Sequence, residues 1–256
     1  TLLEIAPLIR RNEHWTKVIA LYPRNELLKD QFLQTYKVVS SINGTLVSSG
    51  KRPVILGTFF GETPYTASLK GVTDAKWDNL NNGYVCPFLS CPTCASLMIW
   101  PREAIEQGQE RLECSIESCT KKIGPDEVIL TRTRAKREPP DFLFTTSEML
   151  NRRLSDSSSH RLLGINQPES NHPRVLLLDE IHTYSGIHGA QTGLVLRRWR
   201  NSVRRNGRKV KYIGLSATIE EPERFMSELT GIYGADVAHA YPREKEFQSS
   251  SMEYQL

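Results

Sequence analysis

Two groups of side chains in this 256-residue sequence have the types and spacing to do chemistry. The first is Val175-Leu-Leu-Leu-Asp-Glu-Ile-His182, an apolar run that ends in two carboxylates and an imidazole. Parallel sheets receive ligands at the carboxyl ends of their strands, and such a run delivers Asp179 and Glu180 to that edge. There Asp179 has the chemistry to hold Mg2+ through water. Glu180 can orient and deprotonate a water that attacks a terminal phosphate. An isolated Asp-Glu pair is more often an ordinary acidic strand end. Ser216-Ala-Thr218 shifts the balance, because it again follows an apolar strand and its hydroxyls can reach His182.

The second group is the cysteines, all five of which fall between Cys86 and Cys119. Cys91-x2-Cys94 and Cys114-x4-Cys119 are two pairs separated by a spacing typical of a tetrahedral zinc site. Thiolates suit Zn2+, and the turn Cys91-Pro-Thr-Cys94 lets both sulfurs point at one ion. The expected ligands are Cys91, Cys94, Cys114 and Cys119, with Cys86 spare or an alternative ligand. Four thiolates leave no position for water, so the zinc would be structural. Two disulfides are the competing reading, disfavoured by the odd cysteine count and the lack of a visible export signal. A redox role for Cys91-x2-Cys94 would not need the second pair.

The elements that must position these groups are legible as alternating strands and helices. Lys17–Pro23, Val54–Phe60, Asp141–Thr145, Arg174–Asp179 and Lys211–Leu215 read as buried strands. Arg24 to Val39 places Leu28, Phe32, Tyr36 and Val39 at helical spacing. Gln191 to Arg205 reads as a helix with Leu194, Val195, Trp199 and Val203 inward. A short helix runs through Met149 and Leu150, and a last one starts near Pro222 and stops at Gly231. Repeated β–α units of this kind predict an α/β fold, a doubly wound parallel sheet with helices on both faces. From about Gly61 to Pro140 the pattern lapses. A structureless stretch of that length is improbable inside a domain, so it reads as an insertion organised by the cysteines. Ser155–Pro173 reads as a flexible loop and the segment from Tyr241 onward as a linker.

The bulk composition is that of an average soluble protein, with 39% hydrophobic and 24% charged residues and a net charge of +4. It excludes a disordered, collagenous or coiled-coil chain. The longest aliphatic run, Val175 to Leu178, is far too short to span a bilayer, and a cytoplasmic location is expected. Basic residues are nevertheless clustered, at Arg132, Arg134, Lys136 and Arg137 and from Arg197 to Lys211. Such runs fit a polyanion partner, or simply a solvated helix face.

Asp179-Glu-Ile-His182 followed by Ser216-Ala-Thr218 resembles motifs II and III of superfamily-2 helicases of the DExH-box type. Tyr22-Pro-Arg-Asn25 is similar to motif Ia, and Thr145-Thr-Ser-Glu-Met-Leu150 to motif Ib. The Gly61-Glu-Thr-Pro64 turn, and Thr183-Tyr-Ser-Gly-Ile-His-Gly189 leading into Leu196-Arg-Arg-Trp-Arg200, resemble MrfA-type repair helicases and related prokaryotic phage-defence helicases.

The resemblance implies the first RecA-like domain of an ATP-dependent DNA helicase or translocase. Asp179, Glu180 and His182 would be catalytic, with ATP and Mg2+ as cofactors beside structural Zn2+. Ser216 and Thr218 would couple nucleotide state to DNA contacts, and Arg24, Thr63, Thr145 and Thr146 would touch the nucleic-acid backbone. For Arg24 the plainer reading is a surface arginine, and for Thr145 and Thr146 helix-capping hydroxyls.

No G-x-x-x-x-G-K-[ST] loop is present. Family members place a proline six positions after the motif I threonine, as Pro7 follows Thr1, so Thr1 is expected to close a truncated phosphate loop and bind nucleotide. The expected divisions are 1–64 and 141–240 for the motor domain, 65–140 for the zinc-binding insertion, and 241–256 for a linker toward a second RecA-like domain. As such a fragment, the chain is expected to lack appreciable ATPase activity alone. The alternatives are a non-catalytic zinc-containing nucleic-acid-binding scaffold and an RNA helicase.

Overall fold

A computed structural model describes residues 2–10, 13–80, 82–203, 209–216, 219–233 and 236–240. The chain runs from a short helix α1 (Leu2–Ile5) through β1 (Val18–Tyr22) and α2 (Asn25–Ser48) to β2 (Leu56–Phe59). It then passes through α3 (Leu69–Asp74), β3 (Asn79–Leu80), β4 (Gly83–Ser90), β5 (Leu97–Pro101), α4 (Arg102–Glu106), β6 (Leu112–Cys114) and β7 (Lys122–Ile123). It continues as β8 (Val128–Ile129), α5 (Arg132–Arg137), β9 (Phe142–Thr146), α6 (Ser147–Arg153) and β10 (Val175–Leu178). The last elements are α7 (Gly186–Val203), β11 (Lys211–Gly214) and α8 (Pro222–Thr230).

The apolar runs become the parallel sheet they predict, in the order β11-β10-β1-β9-β2-β8. Every residue of β1 and β2 is buried, as expected of strands covered on both faces. β1 is the central register strand: Val18 sits opposite Val175 on one side and Phe142 on the other. This aligns the carboxyl ends of β10, β1 and β9.

The opposite edge is tied by a buried charge cluster. Asp141 Oδ1 lies 2.7 Å from Lys17 Nζ, and Oδ2 lies 2.5 Å from Arg52 Nη1. Oδ2 also accepts from the Ile55 N–H at 2.8 Å. Lys17 and Asp141 are wholly buried, so each charge needs the other.

The helix predicted over Arg24 to Val39 extends to Ser48. Asn43 explains the extra turns: its side chain accepts from the Val54 N–H at 2.9 Å and fastens the helix to the approach of β2. Helix α7 begins at Gly186, earlier than its periodicity indicates, and buries Val195, Leu196, Trp199 and Val203. Leu194, expected inside, is 59% exposed because it lies about 100° round the helix from Val195. Ser155–Pro173 is also not the flexible loop expected. Leu162, Leu163 and Ile165 are buried, the Trp199 indole N–H donates to Leu163 O at 2.9 Å, and Thr16 Oγ1 donates to Leu162 O at 2.7 Å.

Within the stretch of weak periodicity lies a five-stranded antiparallel sheet, β3-β4-β5-β6-β7. It shares its core with the parallel sheet through ring contacts. Trp100 meets Trp77 at 5.7 Å between centroids, Trp77 meets Phe88 at 5.7 Å, and Phe88 meets Phe32 of α2 at 5.2 Å. From Phe32 the contacts continue to Phe144 at 5.0 Å and on to Tyr22 at 5.8 Å. The chain then rejoins the parallel sheet at its edge, where β8 pairs with β2.

Candidate functional site

The two carboxylates stand where β10 ends. The Asp179 N–H donates to Leu21 O at 3.1 Å, keeping Asp179 on the ladder beside β1. Glu180 then adopts a left-handed backbone, φ 48° and ψ 49°, uncommon for a residue with a side chain and concentrated at functional sites. The turn brings the Glu180 N–H to Asp179 Oδ1 at 2.9 Å. The Ile181 N–H is latched to Leu215 O at 3.0 Å, so the segments around residues 180 and 216 are fixed to each other by backbone.

His182 follows from that latch. Its Nδ1 is 3.0 Å from Ser216 Oγ and 3.1 Å from Glu180 Oε2. Of the two, the serine contact has hydrogen-bond geometry; Glu180 Oε2 is buried and makes no hydrogen bond. Asp179 is 8% exposed. Burial pushes its carboxyl above the usual range, the Glu180 N–H opposes that, and the neighbouring Glu180 charge adds to it. Two close carboxylates, one with an unsatisfied oxygen, are a donor set that fits a hard divalent cation and a water. Thr1 and Thr218 lie outside the described residues.

Two tyrosines that lie in the quoted motifs but were assigned no role of their own flank this edge. Tyr22 and Tyr184 are 3% and 2% exposed, and the Tyr184 hydroxyl is buried without a hydrogen bond. Burial, and next the Asp179 charge, raise both phenols. Their only signal in the sequence was adjacency to the acidic motif and to Pro23-Arg24. The backbone of Tyr184 also supports α7, for a Cβ on Gly189 would lie 2.1 Å from Tyr184 O.

Next along the edge is a pocket of about 550 Å³ lined by residues from three elements. Arg24 and Asn25 start α2, Thr146 caps α6 and Asn151 lies within it, and His188 and Gln191 come from the first turns of α7. The structure therefore brings Arg24 and Thr146 together. His188 and Gln191 were not singled out from the sequence. The Thr146 hydroxyl makes that cap, accepting from the Met149 N–H at 3.2 Å. Thr63 and Thr145 are different: each is 1% exposed. Thr63 Oγ1 accepts from the Phe60 N–H at 3.1 Å and meets Thr58 Oγ1 at 2.9 Å, and Thr145 Oγ1 donates to Phe59 O at 2.6 Å. These hydroxyls shape the turns and do not face outward.

The arginines of α7 divide in the same way. Arg200 Nη1 donates to Thr230 O at 2.9 Å and Gly231 O at 3.1 Å, and Arg197 Nη2 donates to Glu228 O. They cap the carboxyl end of α8, where cations are favoured. Arg204, Arg205 and Arg208 lie outside the described residues.

Within the insertion, the sulfurs of Cys91, Cys94, Cys114 and Cys119 all lie within 4.8 Å of one another. Cys91 and Cys119 are 3.7 Å apart and Cys94 and Cys114 3.4 Å, much longer than a disulfide bond. Four sulfurs each ~2.3 Å from a central zinc have this mutual spacing, so the residues fit the ion. The backbone prepares the turn: the Cys91 N–H donates to Ser96 O at 2.7 Å and the Ala95 N–H to Cys91 O at 2.9 Å. Cys86 is apart from the cluster, buried in β4, where burial pushes its thiol up to about 12.

No family model matches the chain. It is 25% identical over 256 residues to the Druantia protein DruE of Escherichia coli (strain UMEA 4076-1), spanning 84% of this chain and 14% of DruE. It is 26% identical over 152 residues to the uncharacterized ATP-dependent helicase MJ1574 of Methanocaldococcus jannaschii, spanning 56% of this chain and 22% of the relative. Among solved structures, the helicase Lhr of Mycobacterium smegmatis, bound to ssDNA and AMP-PNP, superposes with a TM-score of 0.52 at 20% identity, covering 88% of this chain and 20% of Lhr. The chain thus spans less than a quarter of the length of these proteins. No described helix is long and apolar enough to cross a membrane. The chain is thus similar in sequence to DruE and to the helicase MJ1574, and its parallel sheet flanked by helices shares the fold of Lhr.

Proposed function

We propose that this domain is the nucleotide-binding half of an ATP-dependent DNA helicase or translocase. The observation that carries the reading is one continuous carboxyl edge. Asp179 and Glu180 stand at its centre, His182 touches Ser216 on one side, and the Arg24–Thr146 pocket opens on the other. When bound, Mg2+–ATP supplies the γ-phosphate and the Lewis acid that polarises it. Asp179 is the residue that would hold the metal through water. Glu180 orients the attacking water and takes its proton; its unsatisfied oxygen supports that role.

His182 and Ser216, with Thr218, couple this chemistry to the neighbouring grip on the polymer, and Thr1 belongs to the phosphate loop. Arg24 and Thr146 contact the nucleic-acid backbone directly. Thr63 and Thr145 act by holding the turns beneath it. The four-cysteine cluster holds a structural zinc. Residues 1–64 and 141–240 form the motor domain and 65–140 the insertion, whose last part returns to that domain's sheet as β8 and α5, and a second RecA-like domain of the same protein completes the ATP site.

Glu180→Gln in the full-length protein tests this. DNA-stimulated ATP hydrolysis is expected to fall by about 10²-fold or more, the usual worth of a general base, with nucleotide still bound. Hydrolysis at the original rate would refute the assignment. A second reading, a non-catalytic scaffold, predicts no DNA-stimulated hydrolysis in the unaltered protein.

A further inference from the structure

The carboxyl edge continues past β9 to β2 and then to β8. The segments leaving these two strands are bonded to each other. The Arg132 N–H donates to Pro64 O at 2.8 Å and the Thr133 N–H to Tyr65 O at 3.0 Å. Arg132 Nη2 holds the carbonyls of Phe60 and Gly61 at 2.6 and 2.9 Å. Beside this junction is a second pocket, of about 430 Å³, whose other wall is the insertion segment 108–111.

Its lining has three cations, Arg111, Arg134 and Arg137, together with Thr66 and one acid, Glu110. Glu110 is 6% exposed and its carboxylate is fully engaged. It accepts from the Leu130 N–H at 2.7 Å and from the Thr131 hydroxyl at 2.5 Å, and lies 3.3 Å from Arg134 Nη1. The acid therefore orients Arg134 and does not present a negative face. Arg134 is further held by Glu138 and by Pro125 O. The side chains of Arg137 and Arg111 are 70% and 38% exposed; Arg137 also pairs with Glu138, and Arg111 with Glu113. Planar guanidinium forks beside a hydroxyl match phosphodiester oxygens. β8, which leads into this pocket, is the second strand over from β9 in the sheet.

We propose that this pocket binds the phosphodiester backbone of the nucleic-acid strand seated at Arg24 and Thr146. Arg111 of the insertion and Arg137 of α5, both outside the helicase motifs, thereby lengthen the track. The proposal rests on the nucleic-acid reading above.

The test uses the full-length protein, a length series of labelled single-stranded DNA and several salt concentrations. The double variant is R111A/R137A, its thermal unfolding compared with that of the unaltered protein, and Arg134 is left in place. Affinity for long oligonucleotides should fall roughly tenfold, with the salt slope reduced by about 1.4 for two lost phosphates. Oligonucleotides confined to the Arg24–Thr146 pocket should bind as before, and R111K/R137K should restore the slope. Unchanged affinity and slope on long oligonucleotides, with R24A still impaired, would overturn this pocket and leave the functional reading intact. Failure of the unaltered protein to bind any oligonucleotide would overturn both.

Discussion

The molecule contains two sheets built by opposite means. The parallel sheet is made of aliphatic strands buried on both faces, and its organisation comes from apolar area and from one internal charge cluster. The insertion sheet has strands as short as two residues, β3 and β7, and gathers four converging thiols. Strands that short form a stable sheet only with additional support. One sheet offers its edge to chemistry; the other uses its chemistry as a staple. At the acidic edge Glu180 Oε2 is left without a hydrogen bond, whereas both oxygens of the Asp141 carboxylate are engaged.

The sharpest way to separate the sheets is to remove the metal. With Cys114→Ser, or after chelation, the insertion is expected to lose on the order of several kcal/mol, since structural zinc binding is folding energy. Hydrogen exchange should rise across residues 79–123 while 142–146 and 175–178 keep their protection. Equal loss in both sheets would show a single cooperative unit.

The converse perturbation is Asp141→Asn, which strands Lys17 and Arg52 in the interior and is expected to cost ~3–5 kcal/mol in denaturant unfolding. Burial opposes the Asp141 charge, but the hydrogen bond and charge of Arg52 and the charge of Lys17 outweigh it and hold the carboxyl below its ordinary range. A depressed carboxylate stabilises the fold fully above its unfolded value of about 4 and loses that contribution as pH falls through the folded value. The unaltered protein should therefore show acid destabilisation below about pH 4 that Asp141→Asn lacks.

A smaller effect is expected at Gly189→Ala, where the added methyl meets Tyr184 O and forces α7 off the acidic edge. Overpacking of this kind costs ~1–3 kcal/mol. DNA-stimulated hydrolysis should fall more than thermal stability does. A purely thermal effect would detach α7 from the site.

The parallel sheet was legible in the residues because its strands are long apolar runs and its helices keep a 3.6-residue period, as Leu28, Phe32, Tyr36 and Val39 do. The thiol cluster was legible because ligand spacing is itself a sequence property. Of the strands between Asn79 and Ile123, β3 and β7 were not, since a two-residue strand has no alternation to detect. Side-chain direction was also hidden. Thr63 and Thr145 stand in motif positions, yet their hydroxyls bond to Phe60 and Phe59. Leu194 belongs to an apolar-looking helix face and is solvated. Tyr184 reads as an ordinary aromatic, and only the tertiary fold puts it beside Asp179.

The unbroken run of rings from Trp100 through Trp77, Phe88, Phe32 and Phe144 to Tyr22 has a mechanical meaning. Close-packed interiors compress very little, so the insertion and the central strand of the sheet are one stiff body. The insertion is thus not a hinged flap: a displacement of Trp100 on β5 is carried through the rings to Tyr22 at the end of β1.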